Sequence, residues 1–238
     1  MSHLYIKRKS VFIAGTALLG ATVAALDWTF KIAGLKDIFR FPLLPFLKFD
    51  LIGIPMFLAY LLFGFLSGTI TSLIAFLSIS FRDPFSGFMK FLAEFATIAG
   101  VYIVLRTKKP SSMKQKLLAM LSGIILRVVV MDIANVSLLP IFTPYFKTPM
   151  AVIIILHWFS LFNAIQGTVS VFGGFLLYEA VVMRLPFLKS NDKLPKALSL
   201  STNGPREKIV TQLRNFKKFF LLAVISLSQV SQQVVLFS

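Results

Sequence analysis

The sequence contains no cysteine. That absence excludes disulfides, thiolate metal sites and a cysteine nucleophile. Histidine is almost missing as well: His3 sits at the terminus and His157 stands alone, so no His-based metal site is expected. Charge is scarce, with Asp, Glu, Lys and Arg making up 14% of the 238 residues. Acids are scarcest, nine against 25 Lys and Arg, which leaves little for acid–base catalysis or for an ion path. There is no G-x-x-x-x-G-K-[ST] and no H-E-x-x-H, so neither a phosphate-cradling loop nor a zinc-protease helix is encoded. No cofactor motif is present, and the chain is expected not to be an enzyme.

What the sequence has in abundance is apolar length. Hydrophobic residues make up 57% of the chain and the mean hydropathy is +0.83. They come in blocks at about residues 11–30, 51–80, 85–105, 117–142 and 150–183. Crossing a bilayer takes about 20 such residues per helix. The expected class is therefore all-α: a polytopic, multi-pass protein of the cell membrane, surrounded by membrane lipid. The net charge of +16 does not indicate nucleic acid, because no basic stretch is interleaved with aromatics on a soluble fold. Membrane proteins gather Lys and Arg in cytoplasmic loops. Ala24 and Ala25 resemble a signal-peptide cleavage site, but the chain beyond them stays apolar, so a retained first helix is expected.

Charge then orders the crossings. Residues 7–9, 106–116 and 184–218 are rich in Lys and Arg, which places all three in the cytoplasm. An even number of crossings must separate each pair. Three apolar blocks lie between residues 10 and 105, so one must be double. The block at 51–80 is too long for one helix and carries Gly64, Ser67 and Gly68 at its middle, a turn between two short helices. The total is six transmembrane helices with cytoplasmic N- and C-termini. Residues 1–186 form the six-helix domain. Residues 187–238 form a cytoplasmic polar linker followed, at 219–237, by a membrane-surface amphipathic helix or a seventh span. The outer loops fall at 31–50, 82–86 and 140–150. Met150 and the residues up to Trp158 form a short re-entrant or external segment, or extend the last helix.

Polar residues inside the spans are costly and usually functional. Lys90 and Glu94 are four apart and can pair on one helix face. Asp132 and Asn135 share a face, whereas Arg127 lies round the helix and pairs elsewhere or snorkels. Asn163, Gln166 and Ser170 form a stripe near His157, with Gly167, Gly173 and Gly174 permitting close packing. Amides on two helices, toward the outer half of the bilayer, suit an uncharged, flat, hydrogen-bonding ligand. Alternatively they satisfy one another. On the first helix, Ala17, Ala21 and Ala25 line one face at four-residue spacing, suited to internal packing or to docking of a separate membrane subunit.

These residues resemble a known family. FPLLPFLKFDLIGIP over 41–55, followed by FGFLSG over 63–68, resembles the substrate-binding S components of energy-coupling factor (ECF) transporters, most closely the riboflavin type. Near the end, LFNAIQG over 161–167 is similar to the family's F-N-L-I-K-G, and FLLY over 175–178 to its closing L-L-Y. The turn lacks the family's proline, Gly53 stands where a second acid often precedes the I-P pair, and Gln166 replaces a lysine. The resemblance covers roughly residues 10–184. It implies a subunit that captures a vitamin outside, with energy supplied by a transmembrane T component and a cytoplasmic ATPase pair. Asn135 and Asn163 would bind the ligand, with Gln166, Asp132 and Glu94 nearby. The first loop, from Leu44 to Asp50, would close over it. Ala17 and Ala21, with Ala25, would dock on the T component. The alternative function is a stand-alone ion-coupled transporter, for which Glu94 and Asp132 are the available acids.

Overall fold

The computed structural model describes residues 2–105, 113–142, 146 and 148–184. The linker and amphipathic segment expected within 187–238 lie outside the described residues, as do Arg106, Lys108 and Lys109 of the basic cluster and Pro144 and Lys147 of the third loop.

Helix α1 covers Ser2–Ile32. Its buried residues from position 10 onward are Thr16, Gly20, Val23, Asp27 and Phe30, a four-three-four-three spacing that makes one continuous stripe. A single turn, α2 (Leu35–Ile38), leads into an antiparallel hairpin of β1 (Arg40–Phe41) and β2 (Leu44–Lys48). The hairpin is a small addition to a structure that is otherwise helical among the described residues. Pro42 and Pro45 cannot donate to a helical ladder, and this stretch is too short for a helix between them.

The apolar block at 51–80 is divided, as its length requires, into α3 (Gly53–Phe63) and α4 (Phe65–Ser80). The break is narrower than the 63–68 turn expected from sequence. Gly64 alone makes it, at φ 95 and ψ −178, backbone that a side chain disfavours. Its N–H donates to the Tyr60 carbonyl at 2.8 Å and closes α3. The two helices fold back on each other, because Ile52 and Met56 at the start of α3 share a cluster with Ala75 and Ile79 at the end of α4. At 1.5 Å per residue they are about 16 and 24 Å long, each shorter than a hydrocarbon core of about 30 Å.

Asp83 caps the next helix, accepting from the Ser86 N–H at 3.0 Å, and Pro84 takes its first position, where a missing N–H costs nothing. Helix α5 (Pro84–Leu105) packs along α6 (Met113–Phe142). Their backbones meet at Gly100 and Gly123: a Cβ on Gly100 would lie 2.6 Å from the Ser122 carbonyl oxygen. Such close approach is how helices hold together where lipid gives no hydrophobic drive. The segment that begins at Pro149 forms a separate short helix, α7 (Pro149–Ile154), and α8 (Leu156–Arg184) returns. Gly173 and Gly174 of α8 sit against Ile54 and Phe57 of α3.

Among the described residues, four helices are long and apolar enough to cross a membrane: Ser10–Ile32 within α1, α5, α6 and α8. With α3 and α4 between them, the chain is a multi-pass membrane protein. Its two ends differ. One gathers the hairpin, the 82–86 turn and the junction of α7 and α8, where Phe85 stacks on Phe142 at 5.1 Å. The other gathers Tyr60, Leu105, Ala119 and Phe175, and Lys116 of α6 pairs with Glu179 of α8.

Candidate functional site

A cavity of about 940 Å³ opens at the hairpin end of the bundle. Its apolar wall is aromatic, built from Phe46 and Phe49 of the hairpin segment with Phe146, Phe159 and Phe162. Phe49 lies 4.8 Å from Phe162 and Phe46 6.0 Å from Phe159, ring to ring, so the hairpin is held down by aromatic pairs.

The polar floor is an ion network. Lys90 Nζ donates to Asp50 Oδ1 and to Glu94 Oε1, both at 2.8 Å. Arg127 Nη1 donates to the same Glu94 oxygen at 3.0 Å and to Thr97 Oγ1 at 3.2 Å. Ser170 Oγ lies 3.4 Å from it. Arg127 is 2% exposed and Glu94 1%. It does not snorkel; it finds its carboxylate on α5, well away from Asp132. Two cations and two carboxylates balance, which is what allows them inside an apolar bundle. The network also explains Gly53. A Cβ there would stand 2.0 Å from Ser170 Oγ and 2.9 Å from Glu94 Oε1, so any side chain would have to displace Ser170 or Glu94 from the network.

Gln166 has a different task from the one its position suggests. Its Nε2 donates to the Asp50 carbonyl at 2.7 Å, and its Oε1 accepts the Asp50 N–H at 3.3 Å. One side-chain amide thus satisfies both backbone groups of one loop residue, as a neighbouring strand would. It lines the cavity but is committed to the loop. Gln166→Leu is expected to leave both groups unpaired. Backbone amides 44–50 should then exchange with deuterated water at least about tenfold faster, following the loss of about 1.5 kcal/mol or more. Unchanged exchange would show that the aromatic pairs hold the loop alone.

Asn135 and Asn163, from α6 and α8, line the same cavity. Asn163 Nδ2 donates back to the Phe159 carbonyl at 3.0 Å. Asn135 is 4% exposed and its Nδ2 has no partner. They do not satisfy each other. Three residues expected in the site lie off its surface. Glu94 is beneath the floor. Asp132 faces α8, accepting from Ser160 Oγ at 2.6 Å. Leu44 is packed into the cluster of Phe41, Leu139 and Phe159 that seats the hairpin.

One polar centre escapes the sequence reading. Asp27, in the middle of the first apolar block, is fully buried. It accepts from Arg82 Nη2 at 2.6 Å and Ser78 Oγ at 3.1 Å, and pairs with Lys36. Arg82 also stacks on Trp28, 4.7 Å from the ring centre. An acid inside an apolar run was the available signal. Beyond the spans, Asp37 pairs with Lys48 and Arg40. The hydrogen bond from Lys48, then that from Arg40, holds its pKa down at about 2. A lowered carboxylate favours the folded loop above its ordinary range near 4, and that contribution is lost as pH falls through about 2.

Ala17, Ala21 and Ala25 are all exposed, on the face of α1 opposite Thr16, Val23 and Asp27. That face is not used for packing among the described residues.

No protein-family model matches the sequence, and a search of curated proteins finds no match. Among solved structures, the chain is similar to the S component of a bacterial ECF transporter, with a TM-score of 0.60 and 24% identity, covering 74% of this chain and 98% of that one. The two share a fold.

Proposed function

We propose that this chain is the substrate-capture subunit of an ATP-driven importer of the ECF type, binding riboflavin or a similar flat micronutrient at the cell membrane. The observation that carries the proposal is the cavity itself. It is roofed by a seated loop, walled by aromatics, and entered by Asn135 and Asn163 from two helices, on a fold shared with an S component. Its size suits a ligand of a few rings. On this reading energy comes from partners: a transmembrane T component and a cytoplasmic ATPase pair. The exposed Ala17, Ala21 and Ala25 face is the docking surface, and the end bearing Lys114, Lys116 and Arg184 is cytoplasmic by the positive-inside rule. A stand-alone ion-coupled transporter is less well supported, because Glu94 is locked between Lys90 and Arg127 and Asp132 lies off the cavity.

Calorimetry on the purified chain, with riboflavin first and then thiamine and biotin, is the test. One vitamin is expected to bind with a Kd below about 1 µM. Asn163→Ala should weaken it by about tenfold, the loss of one buried hydrogen bond to the ligand. Absence of heat with every vitamin would sink the assignment.

A further inference from the structure

The cavity carries more positive charge than an uncharged ligand requires. Lys90 and Arg127 line it and are balanced, as a pair, by Asp50 and Glu94. Five more cations line its outer half: Lys31, Lys36, Arg40, Lys48 and Arg82. Only Asp27, Asp37 and Asp83 accompany them. Asp37 is shared by Arg40 and Lys48, Asp27 by Lys36 and Arg82, and Asp83 caps α5. Five cations against three carboxylates leave an excess of two.

Membrane charge rules do not explain this excess. Lys and Arg collect at the cytoplasmic end, and here they sit at the end opposite Lys114, Lys116 and Arg184. The hydrogen-bond inventory gives an independent sign. Arg82 Nη1, Arg127 Nε and Asn135 Nδ2 are buried with no partner, and all three belong to residues lining this cavity. Every one is a donor. Asn135 and Arg127 are more than nine-tenths buried and these donor atoms carry no exposed surface, so they are costly as they stand and become paired only if the side chains turn toward a ligand's acceptors.

We infer that the substrate is an anion: a flat ring bearing a phosphate or carboxylate. The ring lies between the aromatic wall and the asparagines, and Arg82, Lys36 and Lys31 receive the oxyanion. The Arg82 guanidinium is already oriented by Asp27 and Trp28 and its side chain stays partly exposed at the cavity, which suits oxyanion recognition. This rests on the cavity being a substrate site and names the class of molecule it takes.

The test compares neutral and phosphorylated members of vitamin pairs: riboflavin with its 5′-phosphate, thiamine with its monophosphate, and pyridoxal with pyridoxal phosphate. Binding is measured by calorimetry on the full chain in phosphatidylcholine nanodiscs. The phosphorylated member of one pair should bind at least about tenfold more tightly, the worth of one charge-assisted contact. Arg82→Gln should reduce that ratio to about threefold or less. Lys31→Gln, which removes a side chain without a described partner, should reduce it too and guards against misfolding of the first variant. Equal affinities within every pair, or a ratio untouched by both variants, overturns the inference while leaving the substrate site standing. No binding by any member overturns both. Phosphorus analysis separates the remaining source: an anionic lipid retained by the wild type, lost in both variants and competing with the phosphorylated probe would assign these cations to a headgroup and overturn the substrate claim.

Discussion

Glu94→Gln should destabilise the bundle by about 3–5 kcal/mol, the cost of breaking a buried ion pair from one side. The carboxylate sits at the centre of the network, its Oε1 bonded by Lys90 and Arg127. The amide is nearly the same size and still accepts a hydrogen bond, so packing is preserved. What is lost is the charge. Asp50 alone then faces two cations, one of them only 2% exposed. For a chain of this size the thermal midpoint should fall by roughly 10 °C, followed in detergent through the fluorescence of Trp28 and Trp158. The double variant Glu94→Gln, Arg127→Met should recover part of the loss, because it removes the stranded cation along with its partner. A midpoint unchanged in the single variant would mean that Lys90 and Arg127 reach water, and that the floor of the cavity is wet.

Ala17→Trp combined with Ala21→Trp should abolish uptake and spare binding. Both alanines are exposed on α1, while Thr16 on the opposite face bonds Ser67 of α4 at 2.7 Å and stays in place. Two indoles on a small-residue face prevent the backbone approach on which helix association in lipid depends. Uptake of labelled vitamin by cells making all the proposed subunits should drop to background. The affinity of the purified chain should stay within about twofold, since distant sites add nearly independently. Loss of binding in the variant would place this face inside the fold and end the docking assignment.

The helices were legible because their signals are local. Runs of about 20 apolar residues, a glycine inside an overlong block and a proline after an acid each mark a boundary from neighbouring residues alone. Charge parity brings Asn135 and Asn163 toward one end of the bundle from sequence alone, and both line the cavity. The missed features depend on distant partners. The hairpin at 40–48 is stabilised by Phe159 and Phe162 from the last helix, and its own prolines suggest only irregular chain. Asp27 is concealed by its apolar neighbours, and its meaning depends on Arg82, 55 residues on. Gln166 fits the helical stripe expected of a ligand-binding residue, but Asp50, 116 residues earlier, uses both ends of its amide. Spacing along α5 pairs Lys90 with Glu94, whereas only packing brings Arg127 to the same oxygen.

The convergence on Asp50 has a kinetic consequence. Its carbonyl and N–H are held by Gln166 and its carboxylate by Lys90. The hairpin therefore cannot be released one bond at a time: a rotation at this residue disturbs all three. Release of this loop residue is therefore expected to be cooperative, its three bonds lost together rather than in sequence.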